Sequence, residues 1–133
     1  MSVNPKDILK DAKTILLVDW PNPGVPKSLL KAGFTVFGYS PDRYSAIEQN
    51  DKGELVFRKL EDPPASVDIV NVYRPEEEHA AIINSRVLPL KAKVLWLQPP
   101  VVSAKTAALA AEYGLMFVEG SDIVDVAKSI SGD

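Results

Sequence analysis

The sequence contains no cysteine and a single histidine, His79. Without thiols, the chain can form neither disulfides nor cysteine-ligated zinc or iron–sulfur sites, and thiol catalysis is excluded. One imidazole cannot build a metal site made of several histidines. These two absences remove the sulfur-based functions and the common histidine-based metal sites.

Long apolar runs and an excess of basic residues are also missing. No stretch approaches the ~18 apolar residues that a membrane span needs, and the first seven residues lack the apolar segment of a secretory signal. The 15 basic residues are outnumbered by 18 acidic ones, whereas nucleic-acid binding needs a concentrated basic face. We therefore expect a cytoplasmic protein that binds neither membranes nor nucleic acids.

The composition that remains is that of an ordinary globular protein. The 133 residues are 46% hydrophobic and 25% charged, which suffices for one substantial core. We expect a single domain that spans residues 1–133.

Short apolar runs alternate with helical patterns along the chain. Asn4 is expected to cap a first short helix, and the continuous apolar run Thr14–Val18 is typical of a strand buried on both faces. A minor strand is predicted at 55–57, inside a less regular stretch. The remaining main strands are predicted at 34–39, 68–73, 93–97 and 115–118, and the remaining helices at 24–32, 75–88, 103–113 and 122–130.

This alternation predicts the architecture. Parallel strands need crossover connections, and right-handed crossovers place the helices on both faces of the sheet. The expected fold is a three-layer, doubly wound α/β domain with a five-stranded, mainly parallel sheet. Ligands of such sheets bind beyond the carboxyl ends of the strands. The segments that reach this edge are 19–24, 40–44, 73–76, 98–103 and 119–122.

The segment after the first strand, Asp19–Gly24, stands where doubly wound proteins hold a phosphate against a helix N-terminus. Both glycine-rich phosphate motifs are absent, and three prolines between residues 21 and 26 remove amide donors. The same residues are equally consistent with a rigid turn that binds nothing. The amide donors expected to remain are those of Trp20, Asn22, Gly24, Val25, Lys27 and Ser28.

Further polar side chains follow the later strands. Arg43 could hold a phosphate by paired hydrogen bonds, although an ordinary surface arginine is the plainer interpretation. Arg74 and Gln98 are expected at the ligand edge, each directly after a buried strand.

The run Arg74–His79 contains three consecutive acids before the histidine. Acids in the first turn of a helix are stabilised by its dipole, so we interpret this run as a solvent-facing helix start and predict no metal site. No nucleophile, base and orienting group can be assembled from the sequence. No catalytic residue and no enzymatic activity are predicted.

The stretch Gly24–Pro41 resembles the first helix and second strand of the small stand-alone CoA-binding proteins. These are Rossmann-like domains similar to the nucleotide-binding domain of the succinyl-CoA synthetase α subunit. In that family a helix that ends in Gly-Tyr or Gly-Phe leads into a strand closed by Asn-Pro, and the matching residues here are Gly33-Phe34 and Ser40-Pro41. Segments 63–75, 92–98 and 108–118 also look like later parts of the family, so the resemblance covers residues 10–120.

The resemblance implies a Rossmann-like fold and non-catalytic binding of coenzyme A or an acyl-CoA. By position, the loop Trp20–Gly24 would meet the pyrophosphate. The residues that would meet the adenosine end are Ser40, Pro41 and Arg43, and those that would border the rest of the ligand are Tyr73, Arg74 and Gln98.

Two segments depart from the family pattern. Family members usually carry Gly-Ala/Leu-Ser and a longer loop after the first strand, where this chain has Asp19-Trp20 and its prolines. They also tend to carry Asp-Arg-Cys after the last strand, where this chain has Glu119-Gly120-Ser121. The alternative is a Rossmann-like interaction or regulatory domain without a nucleotide, with Trp20 and 99–102 as an apolar surface for a homodimer or protein partner. A third, NAD(P)-binding alternative could use Asp42 on the ribose but lacks the glycine fingerprint.

Overall fold

The computed structural model describes residues 4–40 and 42–131, which form seven strands and five helical segments. The strands are β1 Thr14–Val18, β2 Thr35–Tyr39, β3 Tyr44–Gln49, β4 Leu55–Lys59, β5 Ile69–Val72, β6 Val94–Leu97 and β7 Met116–Val118. The regular helices are α1 Pro5–Asp11, α2 Gly24–Lys31, α4 Ala104–Glu112 and α5 Ile123–Ser131. The helix α3 has three parts, a 3₁₀ turn over Glu76–Glu78, an α-helical turn over His79–Ile82 and a π-helical turn over Ile83–Val87.

The strands form one sheet in the order β4-β3-β2-β1-β5-β6-β7. The five consecutive strands β2, β1, β5, β6 and β7 are parallel, as predicted. The expectation of five strands is corrected to seven, because the antiparallel hairpin β3–β4 extends the sheet beyond β2. The predicted minor strand belongs to β4.

The hairpin turns at residues 50–53, where the side chain of Asn50 organises the backbone. Its Oδ1 accepts hydrogen bonds from the amides of Lys52 and Glu54, at 3.0 and 2.9 Å. Gly53 then takes a φ of 79°, which favours glycine. Most of β3 and β4 is exposed, so this region lacks the apolar run that marks a buried strand.

Helices cover both faces of the sheet, and each face has its own core. The first core joins α1, α2 and α5 to the sheet and includes the fully buried Trp96. The second joins α3 and α4 to the opposite face and includes Leu16. The layers therefore follow the predicted three-layer plan.

The predicted cap at Asn4 is present, and Ser103 and Asp122, the first residues of two predicted helices, also act as caps. Oxygen atoms of the Asn4, Ser103 and Asp122 side chains accept amide hydrogen bonds of 2.8–3.0 Å from the first turns of α1, α4 and α5. Capping groups of this kind fix where a helix begins, which is why these starts were readable from sequence. None of the helices in the described part of the chain is both long and apolar enough to cross a bilayer.

The chain runs from β1 to β2 on one side and returns to β5 on the other side of β1. The connections that follow β1 and β5 therefore diverge above their carboxyl ends. Such a switch point is where open α/β sheets bind ligands. Asp19 follows β1 at this point, and Arg74 lies in the segment between β5 and α3.

Candidate functional site

A groove of about 570 Å³ opens at this switch point, on the face of the sheet that α3 covers. We call it the α3 groove. Two of the predicted site residues, Ser40 and Arg74, line it. Its remaining lining residues are Val18, Asp19, Tyr39, Glu77, Glu78, Ala81, Ile82, Ser85 and Arg86.

One end of the α3 groove is formed by Arg86, which the sequence analysis did not select. Its guanidinium lies 3.8 Å above the ring centre of Tyr39 and donates a hydrogen bond to the Tyr39 hydroxyl. A second, longer hydrogen bond of 3.5 Å reaches the hydroxyl of Tyr44, whose ring is edge-on to that of Tyr39. Within residues 4–40 and 42–131, no carboxylate lies within ion-pair distance of Arg86.

The pKa of Tyr44 is raised above its ordinary value of 10.0. Burial is the largest cause and outweighs the opposite influence of the positively charged Arg86. At neutral pH the Tyr44 hydroxyl is therefore uncharged, and the positive charge of Arg86 lies on an aromatic support.

A neighbouring depression brings Arg43 and Lys59 close to the same pair of residues, Tyr39 and Arg86. Arg43 is exposed, and its nearest carboxylate, that of Asp42, is 3.8 Å away. The predicted residue Arg43 therefore lies beyond the Arg86 end of the α3 groove rather than inside it. Asp42 and Glu61 also line this depression, so its three cations, Arg43, Lys59 and Arg86, exceed its acids by one charge. The predicted site residue Pro41 lies outside the described residues.

The other end of the α3 groove is occupied by Arg74, held by two carboxylates. Its Nη1 donates to Asp19 Oδ2 at 3.1 Å, and its Nε and Nη2 donate to the two oxygens of Glu78 at 3.0 and 2.7 Å. The hydrogen bonds to Glu78 and then to Asp19 raise the pKa of Arg74. The hydrogen bond from Arg74 lowers the pKa of Glu78. The charge of Arg74 is thus largely compensated inside the protein.

The loop after β1 differs from the expectation that its amides are available to a ligand. Four of the six expected donors already have acceptors within the loop. They are Trp20 to Asp19 Oδ1 at 2.9 Å, Gly24 to Asn22 Oδ1 at 2.9 Å, Val25 to the Asn22 carbonyl at 3.2 Å and Lys27 to the Pro23 carbonyl at 3.2 Å. Because a phosphate needs free donors, these four amides are not available to a ligand in this conformation.

Several other predicted site residues lie away from the α3 groove. The ring of Trp20 packs on the opposite face of the sheet, stacked on Phe57 at 5.9 Å. A Cβ on Gly38 would lie only 3.0 Å from this ring, so glycine is needed beneath it. Val25 is buried in the first core. Tyr73 is half-buried, and its amide donates to the Val18 carbonyl.

The expectation that Gln98 faces the ligand edge does not hold. Its side chain is 1% exposed, and its Oε1 accepts hydrogen bonds from Asn71 Nδ2 and the amide of Ile123, both at 3.2 Å. Gln98 therefore ties β5, β6 and α5 together in the interior, because a buried amide must have its hydrogen-bonding groups satisfied.

The expectation of a solvent-facing His79 is also corrected. The imidazole is 2% exposed. Its Nε2 lies 2.8 Å from the Arg74 carbonyl, and its Nδ1 lies 2.7 Å from Thr106 Oγ1. Since a carbonyl can only accept, Nε2 carries the proton. His79 thereby fixes the segment that carries Arg74 to the side of α4.

The model of the CoA binding domain family matches residues 18–125, which is most of the chain. The match begins at the end of β1 and includes every strand that follows. It also contains all the residues that line the α3 groove.

Three solved structures with the same fold come from Thermus thermophilus, Pyrococcus horikoshii and Pyrococcus furiosus. A Thermus thermophilus protein is 22% identical, with a TM-score of 0.70 over 96% of this chain and 99% of that one. A hypothetical protein from Pyrococcus horikoshii is 21% identical, with a TM-score of 0.68 over 96% and 92%. A conserved hypothetical protein from Pyrococcus furiosus is 23% identical, with a TM-score of 0.61 over 86% and 97%. At these identities the likeness shows the fold.

Proposed function

The chain belongs to the CoA-binding domain family, and we propose that it binds coenzyme A or an acyl-CoA in the α3 groove without transforming it. The observation that carries the proposal is Arg86, a guanidinium at one end of this groove that lies on Tyr39 without an ion-pair partner in the described chain. An arginine of this kind presents a planar fork of donors that matches a phosphate.

Coenzyme A fits the distribution of charge in the α3 groove. It carries a 3′-phosphate on its adenosine and a pyrophosphate between its adenosine and pantetheine parts. In the proposed pose, Arg86 holds the 3′-phosphate, with Arg43 and Lys59 in the adjacent depression. Arg74 faces the pyrophosphate, and Ser40, at the close of β2, also lines the groove.

That the chain does not transform its ligand is also a proposal, supported by where His79 and Ser103 lie. His79 is buried between the Arg74 carbonyl and Thr106, so it does not reach a ligand in the α3 groove. The Ser103 hydroxyl is 4% exposed and donates to Glu76 while it caps α4. Neither side chain is placed to act as a base or nucleophile there.

The test is calorimetric titration of the purified chain, stripped of co-purified ligand, with CoA, dephospho-CoA and NAD. We expect micromolar CoA binding, about −8 kcal/mol, and weaker binding of the two ligands that lack the 3′-phosphate. The substitution Arg86→Gln should weaken CoA about tenfold or more, because hydrogen bonds to a charged group contribute about 1.5–3 kcal/mol. It should also abolish the preference for CoA over dephospho-CoA.

Arg58→Gln is the matched control, since Arg58 is exposed on β4 and pairs with Glu48 outside the α3 groove. It should leave CoA affinity unchanged. Equal losses in the two variants would show a general effect of charge and would contradict the role of Arg86. No heat and no thermal stabilisation by millimolar CoA would overturn the proposed function.

The second candidate is an interaction or regulatory domain that has no nucleotide ligand. The closed amides of the loop after β1 favour it. Failure of CoA, dephospho-CoA and NAD alike would support this alternative and turn the search to protein partners.

A further inference from the structure

The carboxylate of Asp19 stands where the ligand of a doubly wound fold normally places a phosphate. It directly follows β1, beside the switch point between β1 and β5. One of its oxygens accepts the Trp20 amide at 2.9 Å, and the other accepts Arg74 Nη1 at 3.1 Å. A backbone amide and an arginine are the two kinds of donor that phosphates use in proteins.

The backbone is bent to hold Asp19 in this place. Its φ is 64°, in the left-handed region that few residues other than glycine, asparagine and aspartate occupy. Its own amide donates to the Tyr39 carbonyl at 3.2 Å, which anchors the bend to the end of β2. The hydrogen bond to β2 therefore holds the backbone of Asp19 at the edge of the sheet, with its carboxylate directed toward Arg74.

We propose that Asp19 is a built-in anion that competes with a ligand's pyrophosphate for Arg74 and the Trp20 amide, and so sets the affinity of the α3 groove. The proposal deepens the proposed function and rests on it for the identity of the ligand. A phosphate that reaches Arg74 must displace the Asp19 carboxylate, because both need the Nη1 donor and Glu78 already occupies the donors of Nε and Nη2. Glu78 remains bound to the other edge of the guanidinium and keeps Arg74 in position.

Asp19→Asn and Asp19→Gly test this competition. Asparagine also tolerates a positive φ and keeps an oxygen for the Trp20 amide, but it no longer attracts Arg74. Glycine removes the side chain and adopts this φ without strain. Both variants should bind inorganic pyrophosphate and CoA about tenfold more tightly than the wild type, in line with the loss of one competing charged hydrogen bond.

Glu77→Gln is the matched control. Glu77 lines the same groove, and its substitution changes the net charge equally, but Arg74 pairs with Asp19 and Glu78 instead. Calorimetry with each ligand, and thermal melts to verify folding, should show a gain in the Asp19 variants that Glu77→Gln does not reproduce.

The outcomes separate this inference from the proposed function. If the Asp19 variants bind pyrophosphate and CoA no more tightly than Glu77→Gln does, Asp19 is not a competing anion, whatever the wild type does with CoA. If they gain affinity for pyrophosphate while neither they nor the wild type binds CoA, the inference stands and the proposed function fails.

Discussion

The two ends of the α3 groove each carry an arginine, and the two arginines differ in their surroundings. Arg74 is held by Asp19 and Glu78, with three hydrogen bonds between 2.7 and 3.1 Å. Arg86 lies on the ring of Tyr39, and its hydrogen-bond acceptors are the hydroxyls of Tyr39 and Tyr44 and the Ser85 carbonyl rather than carboxylates. One end has its positive charge compensated, and the other keeps it.

This difference indicates which of the two arginines in the α3 groove can bind an anion. A guanidinium paired with two carboxylates must give one of them up before it can bind a phosphate, whereas one supported by tyrosines can accept a phosphate directly. The Arg74 end therefore resists anions, and the Arg86 end attracts them. If the chain binds CoA, the 3′-phosphate contributes more to its recognition than the pyrophosphate does.

The largest expected effect comes from breaking the Arg74 end alone with His79→Ala. The change leaves the Arg74 carbonyl and the Thr106 hydroxyl without their partner. Buried groups left unsatisfied cost about 1–3 kcal/mol each, so urea denaturation should show a loss of about 3 kcal/mol in the free energy of unfolding. Discrimination between CoA and dephospho-CoA should persist in the folded variant, because Arg86 is untouched.

Glu77→Ala is the control for this substitution, since Glu77 is exposed on the first turn of α3. Its free energy of unfolding should stay within about 0.5 kcal/mol of the wild type. A loss in His79→Ala no larger than that of the control would mean that the imidazole does not support the Arg74 segment.

A smaller effect should appear with acid at the same end. The pKa of Glu78 is lowered from its ordinary value of 4.5 by the hydrogen bond from Arg74. Its stabilising contribution is therefore fully present above about pH 4.5 and is lost as the pH falls through the lowered pKa of the folded state. Because this pair is partly exposed, the contribution at pH 7 should be about 0.5 kcal/mol.

Urea denaturation of the wild type and Glu78→Gln at pH 7 and near pH 3 measures the contribution of the Glu78–Arg74 pair to the free energy of unfolding. The difference between the two proteins should be present at pH 7 and should shrink at the lower pH. A difference of the same size at both pH values would show that the ionised pair does not stabilise the fold.

The fold was predictable because its signals are local. The apolar run of β1, the helix caps at Asn4 and Ser103, and the positive φ of Gly33 and Gly114 each depend on a few neighbouring residues. The strand β3 was missed because four of its six residues are polar and only Ala46 and Ile47 are buried, and it exists through pairing with β2 and β4.

The site was less predictable because its geometry is tertiary. Nothing near Arg86 in sequence indicates that it meets Tyr39, which is 47 positions away. His79 was misplaced because three acids before it suggested an exposed helix start. The sequence places the negative charge of Asp19 where a phosphate is expected to bind, but it does not indicate that Asp19 pairs with Arg74.

The smallest expected effect belongs to the Arg86 end, where Tyr44 reports on the arginine. The pKa of Tyr44 lies above 10.0 because burial outweighs the influence of Arg86, which lowers it. The stability that Tyr44 contributes is therefore complete below pH 10 and is lost as the pH rises through the pKa of the folded state. In an ultraviolet titration, the wild type should show a tyrosine with a raised pKa, and this tyrosine should be missing from the titration of Tyr44→Phe. The hydrogen bond lost in this variant is long, so the free energy of unfolding of Tyr44→Phe at pH 7 should fall by less than about 0.5 kcal/mol.

In Arg86→Gln the pKa of Tyr44 should rise further, since the charge that lowers it is gone. A Tyr44 pKa unchanged by Arg86→Gln would mean that the guanidinium does not lie on the tyrosine pair in solution, and the contrast between the two ends of the α3 groove would lose its basis.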